Sequence, residues 1–297
     1  MSVIIDGHKI AEKIKNDTVR GVMELNGSQD GLRSWSKADQ RPNLAIVLVG
    51  EKEDSLLYVN LKEKEAKKVG IDTHLYKIPK HAGDDEVVKV IQHLNSDEKI
   101  DAILVQLPLP QEYDVDRIIN SIDPRKDLDR FHPENQKQLL DSCDHDHIMP
   151  PVFEVVFVIL KEINQEVKDK NICIFSDSEV FGPALARVLK CRGGRAEVCG
   201  SQNKNSSKKT LRADIIITAI GSPHFLKKDM IKDGATVIDI GIKKQGRKVY
   251  GDVDFDNVKE KAGFLTPVPG GVGPITIAIA LKNTLELYKK RKAKNRS

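Results

Sequence analysis

Short apolar runs of strand length alternate with stretches of helical periodicity along almost the whole chain, and this alternation constrains the fold more than any other feature. Asn43–Val49 (NLAIVLV) reads as a strand buried on both faces and ended by Gly50. A helix over Ile10–Leu25 precedes it. Ser55–Val69 reads as a helix with Ser55 available as its cap and Gly70 closing it. Thr73–Ile78 is a second strand, Asp84–Leu94 a helix, and Ala102–Leu107 a third strand stopped by Pro108 and Pro110. From Pro150 the pattern restarts. Phe153–Ile163 is a helix, Asn171–Phe175 a strand, and Pro183–Cys191 a helix, followed by short strands at Ala196–Cys199, Asp214–Ile220 and Thr236–Ile240. A last helix covers Ile275–Lys289. Strand, helix and strand in this order predict mostly parallel sheets covered by helices. The expectation is an α/β protein of two domains flanking a cleft, the second a Rossmann-like doubly wound sheet. Residues 1–147 with the helix 275–297 form the first domain, and residues 148–274 form the second.

The length of 297 residues suits two such domains. Lys and Arg number 48 against 44 Asp and Glu, and the net charge of +4 is too small to point to nucleic acid or a membrane surface. The longest apolar runs (Ala45–Val49, Val155–Leu160, Ile215–Ile217) fall far short of the roughly 20 residues of a membrane span. The start, MSVIIDGHKI, lacks the pattern of a secretory signal. Cys143, Cys173, Cys191 and Cys199 are spaced as neither a disulfide framework nor a zinc ribbon. A cytoplasmic location is expected. Asn26–Gln40 reads as an exposed polar loop, and CDHDH (Cys143–His147) as a polar linker rather than a metal site. The terminal KKRKAKNRS reads as a frayed, solvated tail.

Four segments carry candidate chemistry. Tyr58 and Lys62 stand four apart on one helical face, either a proton-transfer pair or a ring packed on a lysine stem. Gln106 follows a buried strand at the edge where open α/β sheets bind ligands. Asp127 and Asp129 lie in DPRKDLDRFHPEN, where a carboxylate could accept paired N–H donors from a heterocycle or simply be solvated. Thr266–Thr276 (TPVPGGVGPIT) has three prolines and three glycines, which lets backbone approach a flat ligand before a helix begins.

Together these segments resemble the bifunctional methylenetetrahydrofolate dehydrogenase/methenyltetrahydrofolate cyclohydrolase family over nearly the whole chain. The matching stretches are IIDGHKIA, VGEKEDSLLYVNLKEKEAKKVGI, ILVQLPLP, DPRKDLDRFHPEN, ADIIITAIGSP, GATVIDIGI, GDVDF and TPVPGGVGPIT. The resemblance implies oxidation of 5,10-methylenetetrahydrofolate with NADP, then hydrolysis of the methenyl product to 10-formyltetrahydrofolate. It implies Lys62 as the catalytic lysine, Tyr58 as the tyrosine positioning folate and lysine, and Gln106 as support for that lysine. Asp127 would hold the pterin, and Pro269, Gly270, Gly271 and Gly273 would line the folate. Ser176, Asp177, Ser178, Gly182, Ser201 and Ile242 fall at cofactor-binding positions. A homodimer is implied as well.

The nucleotide half departs from the family. Gly-Arg-Ser is replaced by Ser176-Asp177-Ser178, and a His-Ser pair by Gly200-Ser201. Pro-Cys-Thr-Pro reads Pro150-Pro151-Val152-Phe153, and Phe181 stands for a common valine. On the folate side, Arg130 stands where the family has glycine. An aspartate at 177 repels a 2′-phosphate and can bond ribose hydroxyls. The expectation is therefore that cyclohydrolase chemistry is retained, with NADP-linked oxidation weakened, moved to NAD, or lost. A non-catalytic folate-binding regulator is the alternative of another class, and the retained lysine argues against it.

Overall fold

A computed structural model describes residues 2–25, 41–142, 148–202, 206–246 and 248–294. The expected loop at 26–40, the CDHDH linker and the last three residues lie outside these. In chain order the elements are β1 (Val3–Ile4), α1 (Gly7–Leu25), β2 (Asn43–Val49), α2 (Glu53–Val69), β3 (Asp72–Ile78), α3 (Asp84–Ser96), β4 (Ala102–Val105), α4 (Val115–Asn120), α5 (Pro133–Ser142) and α6 (Pro151–Glu162). There follow β5 (Asn171–Phe175), α7 (Phe181–Cys191), β6 (Arg195–Cys199), α8 (Ser206–Thr210), β7 (Ile215–Thr218), β8 (Thr236–Asp239), β9 (Lys243–Gln245), β10 (Lys248–Tyr250), α9 (Phe255–Val258), β11 (Phe264–Leu265) and α10 (Val272–Lys294). The described residues divide into two compact units, one of 12–138, 148–151 and 277–294, the other of 2–11, 139–142 and 152–276.

The first unit holds a parallel three-stranded sheet in the order β3-β2-β4. The period of two along NLAIVLV sends alternate side chains to opposite faces. Ala45, Val47 and Val49 meet Val87, Ile91 and Leu94 of α3. Leu44, Ile46 and Leu48 meet Val59 and Ala66 of α2 and Ile277, Ala280 and Leu281 of α10. The unbroken apolar run Leu44–Val49 is thus explained by helices on both sides. Helix α2 starts at Glu53 after Lys52, without a side-chain cap. Ser55, expected as the cap, lies buried in the first turn. The other end is as expected: Gly70 takes φ 80°, and its N–H bonds to the Ala66 carbonyl.

The second unit holds a six-stranded sheet in the order β1-β11-β8-β7-β5-β6, parallel throughout. From β5 the chain moves out to β6 and returns to β7 on the opposite side, the reversal that defines a topological switch point. The N-terminal boundary differs from the sequence expectation. Val3–Ile4 pair with Phe264–Leu265, so residues 2–11 belong to this unit. The C-terminal segment also differs from a frayed tail. Helix α10 continues to Lys294, and the Arg291 Nε donates to the buried Asp101 carboxylate at 2.6 Å. Among the described residues no helix is long and apolar enough to cross a membrane.

Candidate active site

The decisive geometry in the three-stranded unit lies where β4 ends. The Gln106 N–H bonds to the Val47 carbonyl at 2.9 Å, which extends the ladder by one residue and fixes the side chain's origin. Its amide nitrogen donates to the Leu107 carbonyl at 2.8 Å, so the amide oxygen faces the other way. That oxygen accepts from the Lys62 Nζ at 2.9 Å. Lys62 projects from α2, one turn after Tyr58, and Tyr58 packs beside the Leu44 and Ile46 side of the core. Desolvation lowers the Lys62 pKa from 10.5, and the negative charge of Asp129 partly opposes that.

Asp129 is held close enough to Lys62 for each charge to act on the other because its segment is stitched to β4. The Ile103 N–H donates to Lys126 O at 2.7 Å and the Leu128 N–H to Ile103 O at 3.1 Å, while Leu128 is fully buried. Desolvation pushes the Asp129 carboxyl up to about 6, with Lys62 lowering and Asp127 raising it. Lys62, Gln106 and Asp129 therefore form one cluster of a base, a neutral acceptor and a carboxylate.

Asp127, expected to hold the pterin, is committed elsewhere. Its carboxylate accepts the Arg130 N–H at 3.0 Å, the His132 N–H at 2.9 Å and the Asn135 Nδ2 at 2.9 Å. It is 1% exposed and braces the loop that follows it. Two carboxylates two residues apart were visible in the sequence, but their division of labour depends on which one meets the backbone donors. Arg130 itself takes φ 59°, the left-handed region that suits glycine. Its Nη1 donates to Pro124 O at 2.9 Å, and its Nε is buried without a hydrogen-bond partner.

The remaining expected residues lie in the six-stranded unit. Ser176, Asp177 and Ser178 form the turn after β5. The Ser176 hydroxyl accepts the Ser178 N–H at 3.1 Å, and the Ser178 hydroxyl accepts the Phe181 N–H at 3.1 Å, at the start of α7. Asp177 accepts the Ser201 N–H at 2.8 Å and its hydroxyl at 2.6 Å, which holds its carboxyl below the ordinary value. A Cβ on Gly182 would stand 3.0 Å from Val198 Cγ1 and 3.1 Å from Ser176 Cβ, so α7 packs closely on the strands here. The glycine-rich loop folds against the chain start. The Gly7 N–H bonds to Gly270 O at 3.0 Å, and Gly270 takes φ 100°. Helix α10 begins at Val272, inside this loop, with Pro274 in its first turn where a missing N–H is tolerated. Two acidic residues were not foreseen as part of this unit's architecture, Asp239 and Asp252. In the sequence they lie in GATVIDIGI and GDVDF, two of the stretches that carry the family resemblance, without standing out there as site residues.

Residues 5–129 match the catalytic domain of tetrahydrofolate dehydrogenase/cyclohydrolase, and residues 150–292 match its NAD(P)-binding domain. The chain belongs to the tetrahydrofolate dehydrogenase/cyclohydrolase family. The bifunctional protein FolD of Aquifex aeolicus is 40% identical over 98% of this chain and 97% of its own length. The crystal structure of the bifunctional FolD enzyme from Campylobacter jejuni superposes with a TM-score of 0.88 at 34% identity, covering 98% of this chain and all of that one. The Trypanosoma brucei enzyme, solved with NADP and an inhibitor, gives a TM-score of 0.88 at 30% identity over 97% of this chain and 98% of its own. Membership of the family accounts for both halves, a folate-side cluster on the three-stranded sheet and a dinucleotide-type sheet with a switch point.

Proposed function

We propose that the protein acts twice on one folate. It oxidises 5,10-methylenetetrahydrofolate to the methenyl cation and hydrolyses that cation to 10-formyltetrahydrofolate. The observation that carries this reading is the Lys62–Gln106 bond beside Asp129. The Gln106 oxygen accepts a lysine N–H whether the amine is charged or neutral. The neutral amine then keeps a lone pair for the proton of an attacking water. The new C–O bond forms at the methenyl carbon as one water proton goes to the amine; a C–N bond then breaks, the amine passes that proton to the released nitrogen, and the hydroxyl proton leaves to solvent as the formyl C=O forms. Asp129, ionised above about pH 6, faces that cationic substrate and can accept paired pterin N–H groups.

NADP, when bound, accepts the hydride of the first step. The six-stranded unit fits a dinucleotide: the N-terminus of α7 follows the Ser176–Ser178 turn, and Gly182 permits close helix–strand approach at the end of a helix that attracts phosphate. The trypanosomal relative supports NADP. Asp177 favours a second reading, in which oxidation is weakened or uses NAD, because a fixed carboxylate repels a 2′-phosphate. In this account the three-stranded unit is the folate domain and the other the NAD(P) domain, in a cytoplasmic homodimer that engages neither nucleic acid nor membrane.

The test is an assay of purified protein for methylene-folate oxidation with NADP, with NAD and with neither, alongside methenyl-folate hydrolysis. Lys62→Met should abolish hydrolysis while folate binding persists. Hydrolysis unchanged in K62M overturns the reading, and brisk NADP-specific oxidation overturns the second one.

A further inference from the structure

The switch point of the six-stranded sheet lies between β5 and β7, and the turn Ile220–Gly221–Ser222 follows β7 at the carboxyl edge, where such sheets bind dinucleotides. This turn is not held by its own backbone. The Ile220 and Ser222 N–H groups both donate to the Asp252 carboxylate at 2.7 Å, one to each oxygen. Two donors of the turn are thus spent on one acid that is 1% exposed. With these two N–H groups turned onto Asp252, the turn has neither of them to offer a phosphate.

Asp252 is set in turn by a second buried acid. Asp239 accepts the Thr218 hydroxyl at 2.9 Å, the Gly241 and Asp252 N–H groups at 3.1 Å, and the Val253 N–H at 3.0 Å. Two glycines are fitted to the pair. A Cβ on Gly241 would fall 2.1 Å from the Asp252 Cγ, and one on Gly251 would fall 2.0 Å from an Asp239 oxygen. The arrangement also locates Ile242, since a Cβ on Gly221 would lie 3.9 Å from the Ile242 carbonyl oxygen. Asp177, on the turn after β5, is near enough for its charge to disfavour ionisation of Asp252.

Two buried carboxylates are an expensive way to hold a surface turn, because solvent or a neighbouring carbonyl would satisfy its N–H groups. We propose that Asp252 is a positioning residue for the dinucleotide: through two backbone bonds it fixes the Ile220–Ser222 turn and the adjacent Ile242 as one wall of the nicotinamide-dinucleotide crevice, with Asp239 aligning it. The inference deepens the dehydrogenase reading and rests on it.

The experiment compares Asp252→Asn with the unchanged full-length protein. An asparagine of the same shape keeps one acceptor oxygen and turns an amide nitrogen toward the other donor. The expected result is a KM for the dinucleotide raised tenfold or more, with kcat for oxidation and the rate of methenyl-folate hydrolysis within threefold. A dinucleotide KM within twofold of the original overturns the proposal, as does a fall in kcat with KM unchanged. If D252N does not fold, Thr218→Val removes one Asp239 donor at constant shape; threefold weaker dinucleotide binding by calorimetry supports the proposal and unchanged binding overturns it. Failure of the dehydrogenase reading itself looks different, since the unchanged protein would then oxidise no substrate with either dinucleotide.

Discussion

Lys62 and Gln106 stand 44 residues apart in the chain and 2.9 Å apart in space, and Leu107 O decides which end of the amide the lysine meets. Because the acceptor is neutral, nothing offsets the desolvation that lowers the lysine pKa except the charge of Asp129. Gln106→Glu places a second negative charge on the amine. The ammonium form is then favoured, the lysine pKa rises, and less base is present at neutral pH. Methenyl-folate hydrolysis at pH 7 should fall by about 100-fold, with the pH–rate profile displaced to higher pH. Stopped-flow absorbance across pH 5.5–9.5 reads this directly, and a displacement to lower pH would defeat the argument.

Asp129 links activity and stability in opposite directions. Its pKa in the folded chain, about 6, lies above the ordinary 3.8, so the folded state holds the proton more tightly than the unfolded one. Stability is therefore highest below about pH 4 as far as this group is concerned, and is lost as pH rises through about 6. Asp129→Asn never ionises and escapes the loss. At pH 7.5 it should stabilise the protein by about 1–3 kcal/mol in denaturant titration, while weakening folate binding by at least 10-fold. In the unchanged protein kcat/KM for hydrolysis should decline as pH falls through about 6, and D129N should not show that limb.

Asp127, two residues away, carries the opposite sign. Its oxygens receive three hydrogen bonds of 2.9–3.0 Å from Arg130, His132 and Asn135. Asp127→Ala leaves those donors unsatisfied and frees the loop that carries Asp129. A destabilisation of about 3–5 kcal/mol is expected. Chemical denaturation of the D127A and D129N proteins side by side decides which carboxylate is structural, since equal shifts would contradict the division.

These contrasts mark what could be read along the chain. Leu44–Val49 are apolar at every position because helices cover both faces of β2, so the unbroken apolar run ending at Gly50 marked the strand. Val3–Ile4 and Phe264–Leu265 have only two residues each, too few to show any period, and their pairing joins opposite ends of the chain. Lys62 and Tyr58 were legible as a helical pair by spacing, whereas the meeting of Lys62 with Gln106 depends on packing of α2 against β4. The choice between Asp127 and Asp129, and the Asp239–Asp252 relay, depend on backbone donors, which a sequence does not display.

Arg130 tests the fit of a side chain to a backbone built for glycine. Its φ of 59° costs about 1–2 kcal/mol for a residue with a Cβ, and its buried Nε lacks a partner. Against this stands one charge-assisted bond to Pro124 O, a contribution of about 1.5–3 kcal/mol. Arg130→Gly gives up the bond but relieves both penalties, and should change stability by less than about 1 kcal/mol. Arg130→Ala gives up the bond and keeps the strained backbone, so it should be less stable than the glycine variant by at least about 1 kcal/mol. Thermal unfolding of the two variants measures the difference, and an alanine variant as stable as the glycine one would show that the backbone there is not strained.

Gly7 is the most constrained glycine at the chain start. A Cβ there would lie 1.8 Å from Gly271 O and 2.6 Å from Gly270 O, both backbone atoms with no flexible side chain to yield. Gly7→Ala must therefore move either the first turn of α1 or the Pro269–Gly271 segment, and it stretches the Gly7 N–H bond to Gly270 O. A loss of about 3 kcal/mol or more is expected, with the KM for folate raised in whatever protein remains folded, since that segment leads directly into α10. Gly83 is the control: a Cβ there meets nothing within 4 Å, but its φ of 83° strains any side chain. Gly83→Ala should lose only the about 1–3 kcal/mol of that strain and leave folate KM unchanged. Equal effects at the two positions would mean that backbone conformation, rather than the close approach of Gly7 to Gly271, explains the requirement for glycine.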